Sequence, residues 1–312
     1  MKAVGLTEFG GPEVLHIVEL PDPEAGPGQI RIRVHGAAVN PTDTQLRHGE
    51  RAKRLRDVAL PHVPGMEAAG VVDQIGEDVA TKVSLGDHVM AIVLPLGPHG
   101  AYAERVVVPA TSVVRRPEGA TDVEAATLPM NGLTARMSLD VLAMEPGQTL
   151  AVTGAAGMVG GYVVQLAKVE GLRVLADASS GDVDLVKGLG ADVVIARGDG
   201  YSERVRTVLP QGVDALVDAA LMNESAVGAV RDGGRMVTLR GFDPGDVRGI
   251  TCRPIFVRNY VGEQAKLNGL RQLAADGLVT LRVARTLPAE RAAEAHGLLE
   301  RGGIRGRLVL EF

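Results

Sequence analysis

Thr149-Leu150-Ala151-Val152-Thr153-Gly154-Ala155-Ala156-Gly157-Met158-Val159-Gly160 is the stretch that decides how this chain is read. Residues 149–153 form a short apolar run of the kind found in strands buried on both faces. Three glycines follow within a few positions, and an apolar helical pattern runs from Gly160 to Glu170. A strand, a glycine loop and a helix in that order form a phosphate cradle. Backbone N–H groups at a helix start attract an anion, and a side chain there would hold the phosphate away. The loop fits Ala-x-Gly-x-x-Gly through Ala155, Gly157 and Gly160, with alanine at the first glycine position of the dinucleotide fingerprint. Gly154, Ala155, Ala156, Gly157, Met158, Val159 and Gly160 are therefore expected to hold a dinucleotide pyrophosphate.

Outward from the loop, strands and helices alternate. Strand-like runs fall at 173–177, 192–195, 213–218 and 234–239, with helical patterns at 160–170 and 183–189 between them. Such alternation implies right-handed crossovers and a doubly wound parallel sheet. A further helix is expected at 133–142, stopped by Pro146-Gly147, and a helix start at Thr121-Asp122-Val123-Glu124 with Thr121 or Asp122 as cap. The N-terminal third reads differently. Residues 30–35 alternate with period two, and short strands at 71–75, 85–93 and 101–108 are punctuated by Pro and Gly, as in a mostly antiparallel β domain. At the other end, a helix at 263–276, a strand at 281–284, a helix at 288–299 and a strand at 306–310 are expected, the strands rejoining the N-terminal domain. The expected domains are 1–121 with 261–312, and 122–260.

The bound nucleotide is expected to be NADPH rather than NADH. An acidic residue about 20 positions past the loop would hold the ribose diol of NAD. Asp177 is near that place, but strand alternation is expected to turn it away, leaving Ser179 and Ser180 at the strand end. These small neutral groups suit a 2′-phosphate, and Arg197 could pair with it bidentately. Composition bounds the rest. The 312 residues are 46% hydrophobic and 3% aromatic, so the core should be aliphatic. A net charge of -5 with no basic block argues against nucleic-acid binding. Cys252 is the only cysteine, which excludes an intrachain disulfide and a multi-cysteine zinc site, and it should pack as a small hydrophobe. No signal-peptide profile and no long apolar run are present, so a cytoplasmic protein without membrane partners is expected. His48, His62 and His99 show no metal spacing and read as loop residues, and Ser138 and Ser225 lack a nucleophile-elbow context.

Taken together, these residues resemble the medium-chain dehydrogenase/reductase superfamily, and within it the zinc-independent, ζ-crystallin-like quinone oxidoreductases. The resemblance rests on residues 39–43 (Val-Asn-Pro-Thr-Asp), 65–70 (Gly-Met-Glu-Ala-Ala-Gly), 86–89 (Gly-Asp-His-Val) and 100–104 (Gly-Ala-Tyr-Ala-Glu). It continues through 125–129, 132–135, the glycine loop with 165–168, 189–192, Ala295-His296 and Gly306-Arg307. It implies a GroES-like β-barrel catalytic domain beside a Rossmann dinucleotide domain, an active site in the cleft between them, and commonly a homodimer. Zinc-dependent relatives carry Cys where Asn40 stands and His where Met66 stands, so no zinc is expected. The function implied is NADPH-dependent hydride transfer to a small quinone or similarly electron-poor carbonyl. An enone or enoyl reductase, or a weakly catalytic NADPH-binding redox sensor, remains the alternative. Asn40 is expected beside the nicotinamide, donating to the oxygen that gains charge, with Thr127 on the nicotinamide side. Asp43 and Glu67 read as buttresses of the cleft. Many relatives carry Tyr where Gln45 stands. Gln45 can donate a hydrogen bond but cannot act as an acid, so water is expected to protonate the product. Thr134, Arg240, Phe242 and Arg307 complete the expected cofactor contacts.

Overall fold

The computed structural model describes residues 1–50 and 52–312. The chain divides into two compact units. One comprises Met1–Met130, Arg258–Gly277 and Leu281–Phe312, and the other Asn131–Val257 and Leu278–Thr280. The first boundary falls later than position 121 for a physical reason. Asp122 is bonded to His35 and His88, and Met130 N donates to Glu67 Oε2, which ties residues 122–130 to the strands of the first unit.

The second unit is built on a six-stranded parallel sheet. Its spatial order is Val193–Ala196, Arg173–Ala178, Thr149–Thr153, Val213–Asp218, Val230–Thr238 and Thr251–Pro254. In chain order this is 3-2-1-4-5-6, the doubly wound arrangement whose switch point lies beside its first strand. Thr149–Thr153 is that strand, pairing with Arg173–Ala178 on one side and Val213–Asp218 on the other. Its residues Leu150, Ala151 and Val152 are wholly buried, as an apolar run covered by helices must be. Helix Tyr201–Val208 sends Tyr201 and Val205 into a core with Leu216, Val230 and Met236, and Cys252 lies against the same core.

The first unit carries a seven-stranded sheet in the order Val283–Pro288, Arg307–Glu311, Gln29–Ala38, Glu67–Ile75, His88–Ile92 and Val113–Arg115, with Arg105–Pro109 also paired to Gln29–Ala38. All these pairings are antiparallel except that of the last two strands in sequence, so the C-terminal strands do rejoin the N-terminal fold. Two elements differ from the sequence pattern. The ladder expected over 101–108 begins only at Arg105, because Ala101 N and Tyr102 N bond instead to Gly65 O and Pro64 O. That detour buries the Tyr102 ring. The helix expected from Pro288 begins at Ala292, since Pro288 ends the preceding strand. Among the described residues no helix is long and apolar enough to cross a membrane.

Candidate functional site

The glycine loop has the form a phosphate requires. Gly154 sits at φ +67°, a left-handed conformation that favours glycine, and a Cβ there would meet the Ala219 backbone at 3.0 Å. At Gly160 a Cβ would lie 2.3 Å from Gly154 O, so helix and loop approach each other only because that side chain is missing. Gly157 is the N-cap of the helix Met158–Val169 and gives it no side-chain cap. The helix start thus leaves its N–H groups and the positive end of its dipole without a side-chain cap. Ala155, Ala156 and Met158 are buried, while Gly154, Gly157 and Val159 form the partly open rim.

Two aspartates brace this loop from the ends of neighbouring strands. Asp218, fully buried, accepts from Thr153 Oγ1 at 2.6 Å, Met222 N at 3.0 Å and Asn223 N at 2.8 Å. Asp177, 1% exposed, accepts Ala155 N at 3.0 Å. The Asp177 carboxylate faces the glycine loop and takes the Ala155 N–H. Arg197 pairs through Nε with the other Asp177 oxygen at 3.3 Å and is nearly half exposed. Ala178 ends the strand, Ser180 is exposed, and Ser179 hydrogen-bonds Asp182.

The polar centre of the other unit starts at Asn40, N-cap of the helix Pro41–Arg47. Asp43 Oδ2 accepts Asn40 N at 2.8 Å and the Tyr102 hydroxyl at 3.1 Å, and its Oδ1 accepts Gly65 N at 3.1 Å. Gly65, at φ +103°, has no room for a Cβ, which would stand 2.6 Å from the Tyr102 ring. Asn40 Nδ2 donates to Glu67 Oε1 at 2.8 Å, and Met130 N to Glu67 Oε2 at 2.7 Å. With Tyr102 donating to Asp43, His296 Nε2 carries the proton in its 3.2 Å contact with the Tyr102 oxygen. Asn40, Asp43, Glu67, Tyr102 and His296 are all fully buried.

Burial dominates their titration. It pushes Asp43 up to about 6 against the pull of the Asn40 and Gly65 N–H groups. It pushes Glu67 up to about 7 against the Asn40 amide and the Arg307 charge, with Asp43 adding repulsion. Tyr102 is raised by burial and by Asp43. His296 is pushed down to about 3 by burial and by the Arg47 and His48 charges, so it is neutral at physiological pH. A glutamate poised near 7 can hold or release a proton in the working range of most enzymes.

The structure brings Asn40 and Asp43 together through the Asn40 N–H. Tyr102 and His296 have no role readable from sequence; both lie inside quoted motifs, but separation along the chain hides their contact. The Asn40 amide differs from expectation. Its N–H groups point to Glu67 Oε1 and, at 3.4 Å, to Ala38 O, so donation to an acceptor's oxygen requires the amide to turn. Gln45 is half-buried on the same helix. Thr127 is buried, its Oγ1 donating to Glu124 O at 2.8 Å, and Arg307, 8% exposed, places its charge near both carboxylates. In the nucleotide unit, Thr134 lies buried on the helix Pro129–Leu142, Arg240 is exposed, and Phe242 packs partly buried against the sheet core. Among the histidines, His62 is buried and stacked on Phe9, while His48 is exposed and paired with Glu300.

The alcohol dehydrogenase GroES-like domain family matches residues 26–118, and the zinc-binding dehydrogenase family matches residues 189–310. An NAD-dependent alcohol dehydrogenase of Saccharolobus solfataricus is 32% identical over 99% of this chain and 99% of its own. An NADPH-dependent alkenal/one oxidoreductase of Arabidopsis thaliana is 35% identical over 77% of this chain, and the match spans only 63% of that relative's length. The solved quinone oxidoreductase of Coxiella burnetii superposes with a TM-score of 0.87 at 30% identity, covering 100% of this chain and 99% of that one. The chain belongs to the medium-chain dehydrogenase/reductase superfamily. It is an oxidoreductase fold with a Rossmann-type nucleotide unit and a GroES-like unit.

Proposed function

We propose that this protein is an NADPH-dependent reductase that needs no zinc and delivers hydride to quinones. The observation that carries this reading is the donor set around Glu67. Where zinc-dependent relatives place Cys and His, the chain has the amide of Asn40 and the buried thioether of Met66. Both Glu67 oxygens are already engaged by Asn40 and Met130. Zn2+ seeks thiolate, imidazole or carboxylate donors in about four positions, and this set does not fit it. Without Lewis-acid help, the acceptor must already be electron-poor, as a quinone is. The Arabidopsis and Coxiella relatives are named for acceptors of this activated kind.

The nucleotide fits the glycine loop, whose N–H groups and helix start hold a pyrophosphate. Ala178 offers no carboxylate to a ribose diol, and the Arg197 guanidinium, exposed beyond its pair with Asp177, is the cation offered to a 2′-phosphate beside Ser179 and Ser180. When bound, the reduced nicotinamide supplies the hydride. The chain's own residues then orient and charge-balance. Glu67 fixes the Asn40 amide, Asp43 and Tyr102 hold the Asn40 turn in place, and Arg307 offsets the two carboxylates. Gln45 supplies at most a hydrogen bond, leaving product protonation to water.

The test is NADPH oxidation with a panel of quinones and enones, with and without a chelator. Quinone turnover that survives chelation is expected. Turnover of enones alone would replace the reading with an enone reductase, and no oxidation above the enzyme-free rate would leave a binding protein. Arg197→Ala should erode the preference for NADPH over NADH, and an unchanged preference removes Arg197 from the site.

A further inference from the structure

Away from the residues above, three side chains from three elements of the barrel unit converge on one point. His35 stands on the strand Gln29–Ala38, His88 opens the strand His88–Ile92, and Asp122 opens the helix Asp122–Ala125. His35 Nδ1 lies 2.6 Å from Asp122 Oδ2, and His88 Nδ1 lies 2.9 Å from both Asp122 oxygens. One ligand atom from each falls within 4.8 Å of the others. The two rings flank the carboxylate at an interplanar angle of 64°, their centroids 6.1 Å apart.

The backbone is arranged to produce this convergence. The pairing of Gln29–Ala38 with Glu67–Ile75 shifts register between Val34 and Gly36, which leaves His35 on a bulge. Bulges re-aim a side chain, here toward a neighbour two strands away. The Thr121–Glu124 capping box fixes the start of the helix, and so holds Asp122 over both imidazoles. Asp122 is 8% exposed, whereas His35 and His88 are 31% and 43% exposed, so the carboxylate is set from inside and the rings meet solvent. Two imidazole nitrogens and one carboxylate oxygen are a borderline-soft donor set suited to Zn2+, Ni2+ or Co2+.

We propose that His35, His88 and Asp122 bind one divalent transition-metal ion at the barrel surface. The ion would tie two strands to the helix that precedes Thr127. Ligands at about 2.0–2.1 Å from a tetrahedral ion stand roughly 3.3 Å apart, so the present contacts must open by about half an ångström. The other charged groups facing the cluster decide the competition. Arg116 Nη1 lies 2.8 Å from Asp122 Oδ1 and 3.3 Å from His88 Nδ1, and its guanidinium must swing outward as the ion enters. Asp87 is held elsewhere, by Arg115 and by Ser84 N.

The experiment is titration of Co2+ into the chelator-treated full chain at pH about 7.5. Visible absorption and calorimetry read the binding. One saturable equivalent is expected. His35→Asn and His88→Asn should each weaken it at least about tenfold, the least that even outer-shell changes cost a metal site. His16→Asn, on a strand not among these elements, should leave it unchanged. Arg116→Ala should tighten binding by removing the rival cation. Absence of a saturable equivalent, affinity unchanged in both histidine variants, or weaker binding in Arg116→Ala would overturn the proposal. Circular dichroism on each variant separates loss of the site from loss of the fold.

Discussion

Replacing Glu67 by glutamine should make the stability gain of the variant depend on pH. In the native protein Glu67 is fully buried and titrates near 7, against an ordinary glutamate value of 4.5. A folded-state value above the unfolded one means that the folded state holds the proton longer. Stability from this group is therefore intact below about 4.5 and is lost as pH rises through about 7. A difference of about 2.5 pH units corresponds to roughly 3 kcal/mol at alkaline pH. The glutamine side chain of the Glu67→Gln variant carries no charge and avoids that cost. Its amide can accept Met130 N–H and present N–H to Asn40, whose own amide must then turn to offer oxygen. At pH 5 the two proteins should differ by about 1 kcal/mol or less, the scale of one rearranged hydrogen bond. At pH 8 the variant should be about 2–3 kcal/mol more stable relative to that baseline, because part of the effect is already present at pH 5. Asp43 and His296 are present in both proteins, so their titration largely cancels. Urea denaturation of both proteins at the two pH values reads the double difference. A double difference under about 1 kcal/mol would show that Glu67 ionises in the ordinary carboxylate range and that burial does not govern it.

Three further outcomes follow from contacts already described. Tyr102→Phe removes a donor to Asp43, so the Asp43 carboxyl should titrate higher than about 6 and stability should fall by about 1–2 kcal/mol, more at pH 8 than at pH 5, in the same denaturation assay. Gly160→Ala forces a Cβ to within 2.3 Å of Gly154 O and should weaken nucleotide binding more than tenfold, read by quenching of tyrosine fluorescence or by calorimetry; unchanged affinity would remove the loop from the site. Asp218→Ala strips the acceptor from Thr153, Met222 and Asn223, and should cost about 2–4 kcal/mol in thermal unfolding while loosening nucleotide binding.

Much of the nucleotide unit is readable locally. The run Thr149–Thr153, the glycines and the apolar helix follow one another without interruption, so each element's pattern agrees with its neighbour's. Asp177 escapes such reading because alternation along a strand says which face a side chain takes but not which N–H group waits there. Ala155 N–H supplies that partner. The barrel centre is legible only through resemblance at Asn40, Asp43 and Glu67. Tyr102 and His296 touch across most of the chain, and no periodicity connects them. The His35–His88–Asp122 convergence is equally hidden, because each residue has a sufficient local explanation as strand, motif or helix start.

The seven-stranded sheet has a consequence for the order in which the chain can fold. The edge of Gln29–Ala38 at Gly36–Ala38 is completed only by residues 309–311. The nucleotide unit, residues 131–257 and 278–280, is synthesised before those residues. The barrel's early strands must therefore wait with an unpaired hydrogen-bonding edge while the intervening unit is made and folds. Chains stalled before position 307 should hold a folded nucleotide unit beside an open sheet.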